Sequence, residues 1–105
     1  MGPSNFDLKS RDRGDIQIRV GEGTFPAKEI SVHSEEGSGG HLTYHGYFVP
    51  YPLTHEEIPT LNKVQDQRIF RIILKSEGEL PFKCKTYKDT QDMHYFNATP
   101  TQQPI

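Results

Sequence analysis

A chain of 105 residues, 32% of them apolar and with a mean hydropathy of -0.74, holds material for one small core, which excludes a multidomain machine and implies a thin stability margin. A formal net charge of -2 with 25% charged residues excludes both an acidic disordered tail and a basic polyelectrolyte. The single cysteine, Cys84, excludes an internal disulfide and a CxxC redox or zinc pair, and the opening MGPSNFDLKS lacks an apolar signal segment, so a cytoplasmic protein without membrane partners is expected.

Residues 1–14 are polar, charged and without a period, and read as a flexible arm. From residue 15 the pattern changes. Ile16, Ile18 and Val20 alternate with Gln17 and Arg19, the two-residue period of a half-buried strand, and Gly21-Glu22-Gly23 supplies the turn that ends it. Thr24 to His33 predicts a second strand, interrupted at Pro26. The polar, glycine-rich stretch Ser34 to Gly40 predicts a mobile loop, followed by a strand through His41-Leu42-Thr43-Tyr44-His45 and Tyr47-Phe48-Val49. Closing that hairpin with His33 opposite His41 places Val32 beside Leu42 and Ile30 beside Tyr44 on one buried face.

Pro50 and Pro52 end the strand. Thr54-His55-Glu56-Glu57 has the S/T-x-x-E form of a capping box, and with Pro59 close behind it predicts at most one helical turn near 54–58, with a polar connection over 60–67. Residues 68–88 predict a hairpin. Phe70, Ile72 and Leu74 share one face with Leu80, Phe82 and Cys84, and a loop Ser76-Glu77-Gly78 sets Lys75 opposite Glu79. On this reading Cys84 is a packing residue rather than a nucleophile. A last edge strand around Met93, Tyr95 and Phe96 completes a domain over 15–97, and residues 98–105 read as a disordered tail.

Three surfaces carry candidate chemistry. Residues 68–88 hold six Lys or Arg against Glu77 and Glu79, a local +4, while the rest of the chain sums to -6. The outer face of the hairpin, with Arg71, Lys75, Lys83, Lys85 and Tyr87, combines cations with one aromatic ring, the pairing by which single-stranded nucleic acid or another anion is held. Tyr47, Phe48 and Tyr51, set among prolines, form a candidate protein-docking patch, because tyrosine offers large contact area at low entropic cost. Among the five histidines, His33 and His41 would stand about 5 Å apart as cross-strand partners, with Glu35 or Glu36 as a third metal ligand.

Nothing resembles GxSxG, a P-loop, GxGxxG or HExxH, so no catalytic residue and no cofactor is expected. These readings converge on a mainly β fold, a small antiparallel sandwich or open barrel of about five to seven short strands with flexible termini. The expected function is non-catalytic: binding or assembly with another protein or with copies of itself, as in viral or phage accessory proteins. The alternatives are nucleic-acid or anion binding and histidine-dependent metal binding.

Overall fold

In a computed structural model, residues 5–75, 78–90 and 93–100 are described, with backbone alone for residues 6, 38, 79–90 and 100. The elements are β1 (Phe6–Lys9), β2 (Ile16–Val20), β3 (Gly23–Glu36), β4 (Leu42–Pro50), α1 (Ile58–Gln67), β5 (Ile69–Leu74), β6 (Gly78–Thr90) and β7 (Met93–Pro100). The mainly β antiparallel fold is as the sequence predicts. All pairings are antiparallel, in the order β1-β3-β2-β5-β6-β7-β4, with β3 also pairing with β4.

The long strand β3 shapes the sheet. Its first part pairs with β2 through Pro26 opposite Gln17, and from Ala27 onward it pairs with β4. No residue of β3 is in register with both β2 and β4, so the sheet coils and its ends overlap along β3. Pro26 stands at the changeover, and a bulge between Ala27 and Glu29 follows it. A residue without an N–H is tolerated where a ladder is already interrupted.

The inner face carries the core. Ile16, Ile18 and Val20 are buried as their alternation predicts, with Phe25, Ile30, Val32, Phe70, Ile72 and Leu74. Phe48 is the hub, with ring centroids 5.8 Å from Phe25, 6.2 Å from Phe70 and 6.4 Å from Phe96, and it stacks on His94 at 5.1 Å. Tyr44 is also buried, and desolvation raises its phenol pKa above the ordinary value.

Five expectations need correction. Helix α1 runs for ten residues, beyond the single turn expected near 54–58. Pro59 lies in its first turn, where a missing N–H breaks no intrahelical bond, so the residue read as a stop begins the helix. Glu57 does bond back to the Thr54 N–H at 3.0 Å, but this closes the turn that precedes the helix. Thr60 and Val64, one helical turn apart, are buried, with Leu61 half-buried beside them, and this narrow stripe disguised residues 60–67 as a connection. Gly23 admits the helix, since a Cβ there would lie 2.2 Å from the Thr60 Oγ1.

Second, the stretch expected as a flexible arm contains β1, in which Leu8 pairs with Ile30 and packs on the core. Third, β3 continues through Glu36, a 3-10 turn spans Ser38–Gly40, and His33 stands opposite His45 rather than His41. Polar residues sustain the strand because β4 satisfies its backbone. Fourth, Ile73 is opposite Glu79 in the β5–β6 hairpin, so Lys75 and Glu79 are out of register. Fifth, the strand β7 extends to Pro100, past the expected boundary at 97, and residues 101–105 lie outside the described residues. Among the described residues no helix is long and apolar enough to cross a membrane.

Candidate binding face

Period two sends alternate residues of β3, β4 and β7 to the outer side of the sheet. Opposite Ser31 stands Tyr47, and opposite Tyr47 on the next strand stands Tyr95; likewise His33, His45 and Asn97 form one row. Asp7 joins from β1, opposite Ser31. These side chains surround a shallow groove of about 360 Å³ lined by Ser31, His33, His45, Tyr47, Tyr95 and Asn97.

Gly46 sits in the middle of this arrangement. A Cβ added to it would fall 1.8 Å from the Ser31 carbonyl oxygen, so β4 crosses β3 more closely than any side chain would permit. Glycine inside a strand weakens it, and here the return is the close approach that brings the flanking His45 and Tyr47 against β3.

The ring centroids of Tyr47 and Tyr95 are 5.8 Å apart at 56°, a tilted pair, and Tyr95 is 40% exposed. The Tyr95 hydroxyl reaches the Met93 Sδ at 3.4 Å. Desolvation, followed by the neighbouring carboxylates of Glu29 and Asp7, raises the Tyr47 phenol above its usual pKa, and a hydrogen bond to Glu29 holds it protonated.

The Ser31 hydroxyl donates to Asp7 Oδ1 and lies 3.1 Å from His33 Nε2. Asp7 Oδ1 is 3.7 Å from the same imidazole nitrogen. Serine therefore sits between carboxylate and imidazole. A nucleophilic relay needs the imidazole in the middle, accepting the hydroxyl proton on one nitrogen while the carboxylate orients the other. On the far side, His45 Nδ1 lies 4.0 Å from Glu35 Oε2, and the two imidazole centroids are 6.3 Å apart.

Among the described side chains of this face carboxylates predominate: Asp7, Glu29 and Glu35, with one ammonium, Lys9, 3.9 Å from Glu29, while the backbone register of β6 sets Lys88 opposite Tyr95.

The structure separates the residues singled out from sequence. Of the docking trio, Tyr47 belongs to the groove, whereas Phe48 is fully buried and cannot contact a partner. Tyr51 is half-buried away from the groove: its hydroxyl is 2.8 Å from that of Ser10, and the Arg13 guanidinium and Lys28 ammonium stand 5.6 and 6.0 Å from its ring centroid. It anchors the segment after β1. Of the proposed metal pair, His41 is exposed at the hairpin turn, remote from His33 in register. Among the described residues no group of three or more His, Cys, Asp and Glu is placed to hold a metal ion.

Of the basic hairpin residues, Arg71 is half-buried and stands opposite Arg19 on β2. Lys75 is exposed beyond the end of β5, its N–H bonded to the Asp15 carbonyl at 3.0 Å. The side chains of Lys83, Lys85, Tyr87 and Cys84 lie outside the described residues. Their backbone register matters nonetheless. A shift between Cys84 and Thr86 brings Tyr87 opposite Phe96, whereas Lys83 is opposite Thr99, so the alternation that joined Tyr87 to the lysine row is interrupted.

Tyr95, His45, Asn97 and Asp7 were not identified as site residues from sequence. The signal for Tyr95 is the alternation of β7, in which Met93, Tyr95 and Asn97 interleave with the buried His94, Phe96 and Ala98. Comparison with protein-family models, curated proteins and solved structures returned no match for this chain.

Proposed function

We propose that the protein is a non-catalytic docking module that receives a basic segment of another protein on the outer face of β3, β4 and β7. The observation that carries this reading is the Tyr47–Tyr95 pair, held on a concave surface rich in carboxylates among its described side chains, beside the row of two half-exposed histidines. Tyrosines supply contact area with few rotamers to freeze, and they are enriched among residues that dominate binding energy. Asp7, Glu29 and Glu35 favour a partner that brings Lys or Arg and disfavour phosphate. The order Asp7, Ser31, His33 supports binding over catalysis, because the hydroxyl proton is committed to the carboxylate.

A randomised peptide library displayed on phage tests this. The proposal expects Lys- or Arg-containing peptides that bind the protein and are lost with the Tyr47→Ser, Tyr95→Ser double variant. Retention of the same peptides by that variant would contradict it. Selection of no peptide, together with a concentration-dependent native mass abolished by the same variant, would replace the foreign partner by a second copy of the chain, whose 68–88 segment carries the complementary +4 charge.

A second reading, in which the outer face of the β5–β6 hairpin binds single-stranded nucleic acid or another anion, is favoured by one observation. Arg19 and Arg71 are direct cross-strand neighbours, which gathers two guanidinium groups on one stretch of the sheet.

A further inference from the structure

Imidazole nitrogens are ligands for borderline transition-metal ions when neutral, and a sheet can present two of them only if its register puts them side by side. The β3–β4 register does so for His33 and His45. They are direct cross-strand partners, on the outer face, with side chains 44% and 47% exposed. Their centroids are 6.3 Å apart with ring planes at 41°. Two imidazoles on one tetrahedral ion, with metal–nitrogen bonds of about 2.0–2.1 Å, have centroids roughly 5 Å apart. Rotation of two half-exposed side chains spans that difference without moving the backbone.

The flanking carboxylates strengthen the assignment. His33 Nε2 lies 3.7 Å from Asp7 Oδ1, and His45 Nδ1 lies 4.0 Å from Glu35 Oε2. His33 Nε2 is 3.1 Å from the Ser31 hydroxyl, itself bonded to Asp7, and His45 Nδ1 faces Glu35, which leaves His33 Nδ1 and His45 Nε2 as the nitrogens available to a ligand. Metal-bound histidines characteristically carry a carboxylate on the second nitrogen, where it fixes the tautomer and raises the basicity of the donor.

We infer that His33 and His45 form an open, two-imidazole site for a divalent transition-metal ion of the Zn2+, Ni2+ and Cu2+ class, oriented by Asp7 and Glu35 and completed by water. The site takes no Mg2+ or Ca2+, which require oxygen ligands. Binding releases no proton from neutral imidazole and is lost on acidification, since the two rings must be uncharged. The inference does not rest on the docking proposal, because the isolated protein suffices to test it.

The test is calorimetric titration of the full chain with NiCl2 and ZnCl2 at pH about 7.5, above the ordinary imidazole pKa. The expected result is one saturable site, weakened about tenfold or more by either His33→Gln or His45→Gln. His41→Gln and His55→Gln should leave it unchanged. NMR of the wild-type protein with substoichiometric Ni2+ provides the second reading, with line broadening centred on His33 and His45. Absence of saturable binding, broadening centred elsewhere, or equal losses in the His41 variant would overturn the site.

Discussion

Tyr47 and Tyr95 are cross-strand partners on β4 and β7, with ring centroids 5.8 Å apart on the outer face, while their chain neighbours Phe48 and His94 stack at 5.1 Å on the inner face. The two aromatic pairs divide binding from stability. Tyr95→Ser should change the unfolding free energy by less than about 1 kcal/mol, as exposed substitutions do. Phe48→Ala should remove about 3–5 kcal/mol, the cost of a buried phenylalanine, which is a large fraction of a small domain's total. Urea denaturation of both variants measures the contrast; similar losses would mean that the Tyr95 ring is part of the core.

Gly46 should be as intolerant as the core. The methyl group of Gly46→Ala would fall 1.8 Å from the Ser31 carbonyl, so the strands must separate, at a cost of about 1–3 kcal/mol typical of overpacking. Gly14→Ala is the control, because a Cβ there meets nothing within 4 Å. Chemical shifts of His45 and Tyr47 should move in the first variant and not in the second.

Acid should destabilise the fold through two carboxylates. Asp15 is held below the ordinary carboxyl pKa by the N–H groups of Arg11 and Asp12, and Glu57 by that of Thr54. Both folded-state values are depressed, so their contribution is complete above the unfolded-state carboxyl pKa and disappears as pH falls through the folded values, below about 4. Melting curves between pH about 6 and 2 should show this loss. The Asp15→Asn, Glu57→Gln double variant should melt lower at neutral pH and with a shallower acid dependence.

Nucleic-acid binding should be weak. The docking proposal expects a labelled oligo-dT to bind no tighter than about 1 μM at moderate salt, the tight end of the non-specific range, and with no change in Arg71→Ala. Submicromolar binding that depends on Arg71 would transfer the functional face to the β5–β6 hairpin.

Faces were legible in the sequence because period two survives errors of register. The first hairpin pairs His33 with His45 in place of His41, a change of four residues, and the second pairs Ile73 rather than Lys75 with Glu79, a change of two. Even shifts leave every inward residue inward. Ile30, Val32 and Tyr44 were therefore assigned to the buried side although their partners differ. The same alternation forbids Tyr47 and Phe48 from sharing a surface, and grouping them as one patch overlooked it. The helix was hidden because its buried stripe is only Thr60 and Val64, and the tyrosine pair because β4 and β7 are joined by no turn. Only the sheet order makes Tyr95 a neighbour of Tyr47.

The central claim is that the outer face of β3, β4 and β7 receives a partner. Its most direct test is an amide chemical-shift titration of the labelled protein with the tightest peptide selected from the displayed library. The account predicts perturbations centred on Ser31, His33, His45, Tyr47, Tyr95 and Asn97. Perturbations confined to Ile69, Arg71 and Ile73, with this face unmoved, would contradict it.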